Sequence, residues 1–106
     1  MNRPKTNLPV TRIDDHTALQ MAELFRALGD GSRVRILLAL TDGEMYVGAL
    51  AEIVGISESA VSHHLRGLRQ LRLVRFRREG RQAFYALDDA HVEELLRQGL
   101  DHVLHG

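Results

Sequence analysis

From Asp15 to Leu28 the apolar residues Ala18, Met21, Ala22, Phe25 and Leu28 recur at the spacing of an amphipathic helix. Asp14 or Asp15 is placed to cap it, and Gly29 breaks it. Asp30 or Ser32 then starts a second helix running to about Thr41, with Val34, Leu37 and Leu38 inward, and Asp42-Gly43 reads as a turn. Val47, Leu50, Ala51 and Val54 form the stripe of a short third helix, and Gly55 suits its left-handed C-terminal position. Ile56 is a candidate for a buried turn. Ser57 can cap a fourth helix whose Val61, Leu65, Leu68 and Leu71 face inward. Two short helices joined through Gly-Ile-Ser are the sequence form of a helix-turn-helix.

Beyond that pair the period changes from 3.6 to 2. Leu73 to Arg77 and Gln82 to Leu87 alternate around Arg78-Glu79-Gly80-Arg81, which predicts a β-hairpin with glycine in its turn. Val92, Leu95, Leu96, Gly99 and Val103 then give a last helix its apolar stripe. Residues 1–13 lack periodicity and hold both prolines, so they read as a flexible N-terminal arm before one domain over 14–106. The expected class is mainly α with a small β-hairpin.

Composition narrows the function classes. At 106 residues the chain is one small domain, short enough for a dimer interface to supply part of its core. No run of eighteen apolar residues occurs, so no membrane span is expected. Met1-Asn2-Arg3-Pro4-Lys5 lacks the apolar stretch of a signal peptide, which points to the cytoplasm. With no cysteine there are no disulfides, thiolate metal sites or cysteine nucleophiles.

The net charge of zero hides an uneven distribution. Seven arginines (66, 69, 72, 75, 77, 78 and 81) face only Glu58 and Glu79 between Ser57 and Gln82, a local excess of five positive charges. A compact basic stretch on a neutral protein suits a polyanion better than total charge would suggest. In a helix-turn-helix the N-terminal residues of the second helix reach base edges in the major groove. Here the candidates are Ser57, Ser59, Ser62, His63 and Arg66, with Arg69 further along the helix and Arg78 and Arg81 at the hairpin tip. The small hydroxyls let the backbone approach, and Ser, His and Arg donate to bases or phosphates. Double-stranded operator DNA is the expected partner.

The last eighteen residues carry a second chemistry: Asp89-x-His91, ten residues, then His102-x-x-His105. On one helix His91 and His102 return to nearly the same face but stand about 16 Å apart along the axis. A first-row metal holds nitrogen and oxygen ligands at about 2 Å, so one straight helix cannot close this set around one ion. An antiparallel copy can, with Asp89 and His91 of one chain meeting His102 and His105 of the other. Metal and homodimer are therefore expected together. Three imidazoles and a carboxylate suit tetrahedral Zn²⁺, and Co²⁺ fits the same geometry. Four protein ligands close the shell and leave no open position for a catalytic water, so regulation or structure is expected rather than catalysis. His16, His63 and His64 are read as helix-end or DNA-facing histidines without a metal role.

Ser57-Glu-Ser-Ala-Val-Ser-His-His-Leu-Arg66, followed by Leu71-Arg-Leu-Val74 and Gly80-Arg81, resembles the winged helix-turn-helix of the ArsR/SmtB family of metal-sensing repressors. Phe25-Arg-Ala-Leu-Gly-Asp-Gly-Ser-Arg33 shares the resemblance, which spans roughly residues 16 to 105. The C-terminal donor set is similar to that of the subgroup sensing zinc or cobalt through the last helix. The resemblance implies a dimer that represses a metal-efflux or sequestration gene and leaves its operator when metal binds. Thiol-sensing members carry a cysteine box at the third helix, where this chain has Glu44-Met45-Tyr46-Val47-Gly48. Nickel-sensing relatives add histidines in terminal arms, and none precedes His16 here. The competing reading is a metal-stapled dimeric DNA-binding or interaction protein whose DNA binding ignores metal. A zinc hydrolase is disfavoured, because no His-Glu-x-x-His motif occurs.

Overall fold

The computed structural model describes residues 10–106, and most of the expected N-terminal arm lies outside that range. Val10–Arg12 form one turn of 3-10 helix, so the irregular arm expected over 1–13 contains local order at its end. Helix α1 spans Asp15–Ala27 and is capped by Asp14, whose carboxylate accepts the Thr17 N–H at 2.7 Å. Helix α2 covers Gly31–Ala39 behind an Asp30 cap, and a 3-10 turn over Leu40–Asp42 leads to Gly43. Strand β1 is only Met45–Tyr46, followed directly by α3 over Val47–Val54. Helix α4 runs Glu58–Gln70, strands β2 and β3 cover Val74–Glu79 and Gln82–Leu87, and α5 closes the chain over Ala90–His105.

The core sits where α2, α3 and α4 meet the base of the sheet. Ile36, Leu37, Leu50, Val61, Leu65, Leu68 and Val74 are essentially excluded from solvent. Burying one such side chain contributes about 1.5–3 kcal/mol, so this cluster fixes the angle between α3 and α4. Gly55 lies at φ +80°, and the Ile56 N–H returns to the Ala51 carbonyl at 3.3 Å. A left-handed residue at this corner turns the chain from one helix to the next without a Cβ penalty.

Three expectations need correction. The inward face of α2 is Ile36 and Leu37, with Leu38 half-buried against the same core, whereas Val34 lies outside that cluster and borders a groove shared with α1 and α5. The hairpin turn is tighter than expected, because Arg78 and Glu79 belong to β2 and pair with Ala83 and Gln82. Only Gly80 and Arg81 form the loop, with positive φ at Gly80 alone, as in a two-residue turn that has glycine first. The hairpin is also not a two-stranded ribbon. Met45 and Tyr46 pair with Tyr85 and Phe84, giving an antiparallel sheet of order β1-β3-β2.

Helix α5 packs only partly on its own chain. Val92 and Leu96 are buried, but Leu95, Leu100, Val103 and Leu104 are exposed, Val103 to 80%. Leu19, Met21 and Phe25 of α1 are exposed as well. Phe25, Leu28, Val34, Leu38, Leu100 and Val103 border an apolar groove of about 400 Å³ between α1, α2 and α5.

Candidate nucleic-acid interface and metal centre

Ser57 opens α4 by accepting the Ala60 N–H at 3.1 Å on its Oγ, which leaves the hydroxyl hydrogen free to donate outward. At 100° per residue, Ser59, Ser62, His63 and Arg66 fall within about 100° of arc. That arc lies opposite Val61, Leu65 and Leu68, which bury the other face. The residues singled out on this helix therefore form one outward strip. Arg78 and Arg81 are exposed at the far end of the hairpin, in the same basic stretch of sequence as α4.

The seven arginines divide by what they touch. Arg77 makes a two-pronged ion pair with Glu44, Nε to Oε2 and Nη2 to Oε1 both at 2.8 Å, and a further contact to Glu79. Glu44 first, then Glu79, hold its guanidinium still more firmly protonated than usual. The same group sits 4.8 Å over the Phe84 ring, which meets Tyr46 edge-on. Arg75 donates to the Asp88 carbonyl at 3.0 Å. Both therefore secure the hairpin. Arg69 sits over the Phe76 ring, its guanidinium carbon 3.8 Å from the centroid. Among the described residues, Arg66, Arg72, Arg78 and Arg81 have no carboxylate within ion-pair reach.

Sequence reasoning missed Arg33. From the first turn of α2 its Nε–H donates to His64 Nδ1 at 3.2 Å, bracing the recognition helix from behind. His64 is thereby an acceptor toward the protein interior, while its neighbour His63 remains exposed. The two residues are 31 positions apart, and no local pattern links them.

The metal-capable side chains sit at the two ends of α5. Asp89 is its N-cap: one carboxylate oxygen accepts the Val92 N–H at 3.0 Å, and the other lies 3.6 Å from His91 Nδ1. The Val92 N–H, more than the neighbouring His91, holds the Asp89 carboxyl below its ordinary range. His102 and His105 occupy the last turn and are exposed. Because α5 is continuous over sixteen residues, even the nearest members of the two pairs, His91 and His102, stand about 16 Å apart along the axis. Among the described residues, no three His, Cys, Asp or Glu side chains converge within one chain. The donors themselves suit a four-coordinate first-row ion: three uncommitted imidazoles, and a carboxylate with one oxygen left over from capping.

A family profile described as "Bacterial regulatory protein, arsR family" matches residues 30–75, the stretch from the α2 cap to the first hairpin strand. The HTH-type transcriptional regulator NmtR of Mycobacterium tuberculosis is 43% identical over 99 residues, covering 93% of this chain and 82% of that protein. The chain belongs to the ArsR/SmtB family. A second relative, the transcriptional repressor SmtB homolog of Synechocystis, is 52% identical over 81% of this chain, which spans 65% of that protein's length. Among solved structures, a homodimeric winged helix-turn-helix DNA-binding domain from Mycobacterium bovis superposes with a TM-score of 0.76. It is 31% identical and covers 92% of this chain and 96% of its own. ArsR/SmtB members are transcriptional regulators rather than enzymes, and the winged fold expected from the sequence is the one observed. In ArsR/SmtB terms β2 and β3 are the wing, and β1 is its third strand. The segment where thiol-sensing members carry cysteines is here tied to the wing through Glu44 and Tyr46. No helix among the described residues is long and apolar enough to cross a membrane.

Proposed function

We propose that this protein is a cytoplasmic, metal-responsive repressor that binds operator DNA as a homodimer and releases it when Zn²⁺ occupies two sites shared between chains. Co²⁺ is the alternative ion of the same coordination. Each site takes Asp89 and His91 from one chain and His102 and His105 from the other. The observation carrying this reading is the division of labour along α5. Its donors lie at the two ends, and the exposed apolar side chains Leu100, Val103 and Leu104 line the stretch approaching one of them. An antiparallel partner would cover the apolar stretch and bring opposite donor pairs together in one packing. The strip on α4 and the wing arginines supply the DNA-facing surface.

When bound, the ion contributes a four-cornered tie between two chains. The protein's part is to convert that tie into a changed placement of two α4 helices, which must sit about 34 Å apart to enter successive major grooves. Metal can drive release only if it favours the arrangement that fits DNA less well. The coupling is reciprocal, so operator DNA weakens metal binding by the same factor, typically about 5–150-fold.

The deciding experiment is subunit complementation. His91→Ala and His102→Ala homodimers each lose both sites. Mixing differently tagged chains places both lesions in one site and leaves the other intact, so tight zinc binding returns at one ion per mixed dimer. A site built within one chain stays broken in every combination. Titrating zinc into the wild-type protein on the DNA upstream of its own gene separates a repressor, which dissociates, from a metal-stapled dimer, which stays bound.

A further inference from the structure

Arg69 stands apart from the other residues of the basic strip. It lies in the last turn of α4, at the edge of the outward arc nearest the wing, with its guanidinium carbon 3.8 Å from the Phe76 centroid. Phe76 pairs with Tyr85 across the hairpin, and their rings stack at 5.7 Å and 28°. The stack thus runs from the recognition helix across both strands of the wing. Beyond it the wing has little to hold it, because every residue from Arg77 to Gln82 is exposed. Buried anchors exist only at the base, where Val74 pairs with Leu87. Side chains alternate along a strand, so Arg78 lies on the same face of β2 as Phe76. On the opposite face, Glu44 and Tyr46 fasten Arg77 and Phe84 to β1. The outer wing is therefore gripped on one side from β1, and on the other it is held by Tyr85, which packs on the core, and by the Arg69 guanidinium from α4.

We propose that Arg69 is a positioning residue for DNA binding: stacked on Phe76, it sets the angle between recognition helix and wing, so that Arg78 and Arg81 reach the duplex that α4 occupies. Cation–π contact is attractive, directional and tolerant of an exposed edge. It suits a joint that must hold an angle at the surface, where no buried side chain can do so. Arg69 then acts through Phe76 rather than by reading a base. The inference rests on the DNA-binding reading above and concerns how two parts of one interface are kept in register.

Salt dependence tests it, because each phosphate contact contributes about 0.9 to the slope of log affinity against log salt. Affinity for a duplex from upstream of the gene is measured over a range of salt for wild type, Arg69→Met, Phe76→Leu, Arg78→Gln/Arg81→Gln and their combinations. Thermal melts confirm that each variant is folded. The expected result is that Phe76→Leu lowers the slope although it removes no charge. Arg69→Met should lower it similarly, and combining the two should add nothing. In the Arg78→Gln/Arg81→Gln background, Arg69→Met should leave the slope unchanged, since the contacts it positions are already gone. That arm decides the matter even if Phe76→Leu fails to fold. A further loss of about 0.9 in that background would make Arg69 an ordinary phosphate contact and overturn the proposal. Unchanged slopes in both single variants would overturn it as well, with the DNA-binding reading left standing. Absence of any duplex binding by the wild-type protein would overturn both.

Discussion

Asp89 does two things with two oxygens. One caps α5 through the Val92 N–H, and the other faces His91. A carboxylate is suited to both tasks, since each oxygen accepts independently. Serine is as good an N-cap as aspartate, and loss of a cap altogether costs about 1 kcal/mol. Asp89→Ser should therefore leave the metal-free protein as stable as wild type in thermal melts. Its zinc affinity should fall by more than the roughly 10–100-fold that an outer-shell partner is worth. Asp89→Ala should lose both properties, and equal metal affinity in all three would exclude the carboxylate as a ligand. The ligand role proposed for Asp89 rests on its spacing to three histidines. The capping duty follows from an aspartate placed directly before an apolar-periodic run. The brace between Arg33 and His64 was not legible at all, because only the packing of α2 on α4 brings these side chains within 3.2 Å.

At the scale of elements, the helix-turn-helix ends twice in the same way. After α3, Gly55 takes the left-handed turn, and after α4, Arg72 does so at φ 59°. The second turn is closed by the Arg72 N–H to the Arg69 carbonyl and the Leu73 N–H to the Leu68 carbonyl, both at 3.0 Å. This is the paired C-terminal bond pattern that usually has glycine at its centre. A left-handed non-glycine residue costs about 1–2 kcal/mol, offset in part by the greater freedom of glycine in the unfolded chain. Arg72→Gly should accordingly raise stability by about 0.5–1 kcal/mol in urea denaturation. A loss of stability would show that the arginine side chain contributes more than its backbone costs. Helix periodicity and the Gly55–Ser57 punctuation made the four helices before the wing readable. Strand β1 was not readable, because two residues carry no period and exist as a strand only by pairing with β3. On α2, apolar residues crowd both faces, so periodicity alone does not single out Ile36 and Leu37 as the fully buried pair.

For the whole molecule, the decisive property is how much apolar surface one chain leaves uncovered along α1 and α5. Phe25 is 53% exposed there and lies far in sequence from every proposed metal donor. Phe25→Glu should shift the protein to monomer in sedimentation velocity and abolish tight zinc binding while touching no ligand. Tight binding by a monomeric Phe25→Glu chain would refute shared sites. The proposed dimer follows from donor spacing, but the uncovered surface that would carry it does not, since an apolar stripe does not reveal which residues find partners at home. The unbroken course of α5 has one more consequence. In a continuous helix, residue count fixes both distance and direction. Deleting a single residue between His91 and His102 would shorten the span by only about 1.5 Å, yet turn the second pair by about 100°. Ancestral or engineered lengths of this segment should therefore come in steps of whole turns, with α5 serving the molecule as a graduated rule rather than a tether.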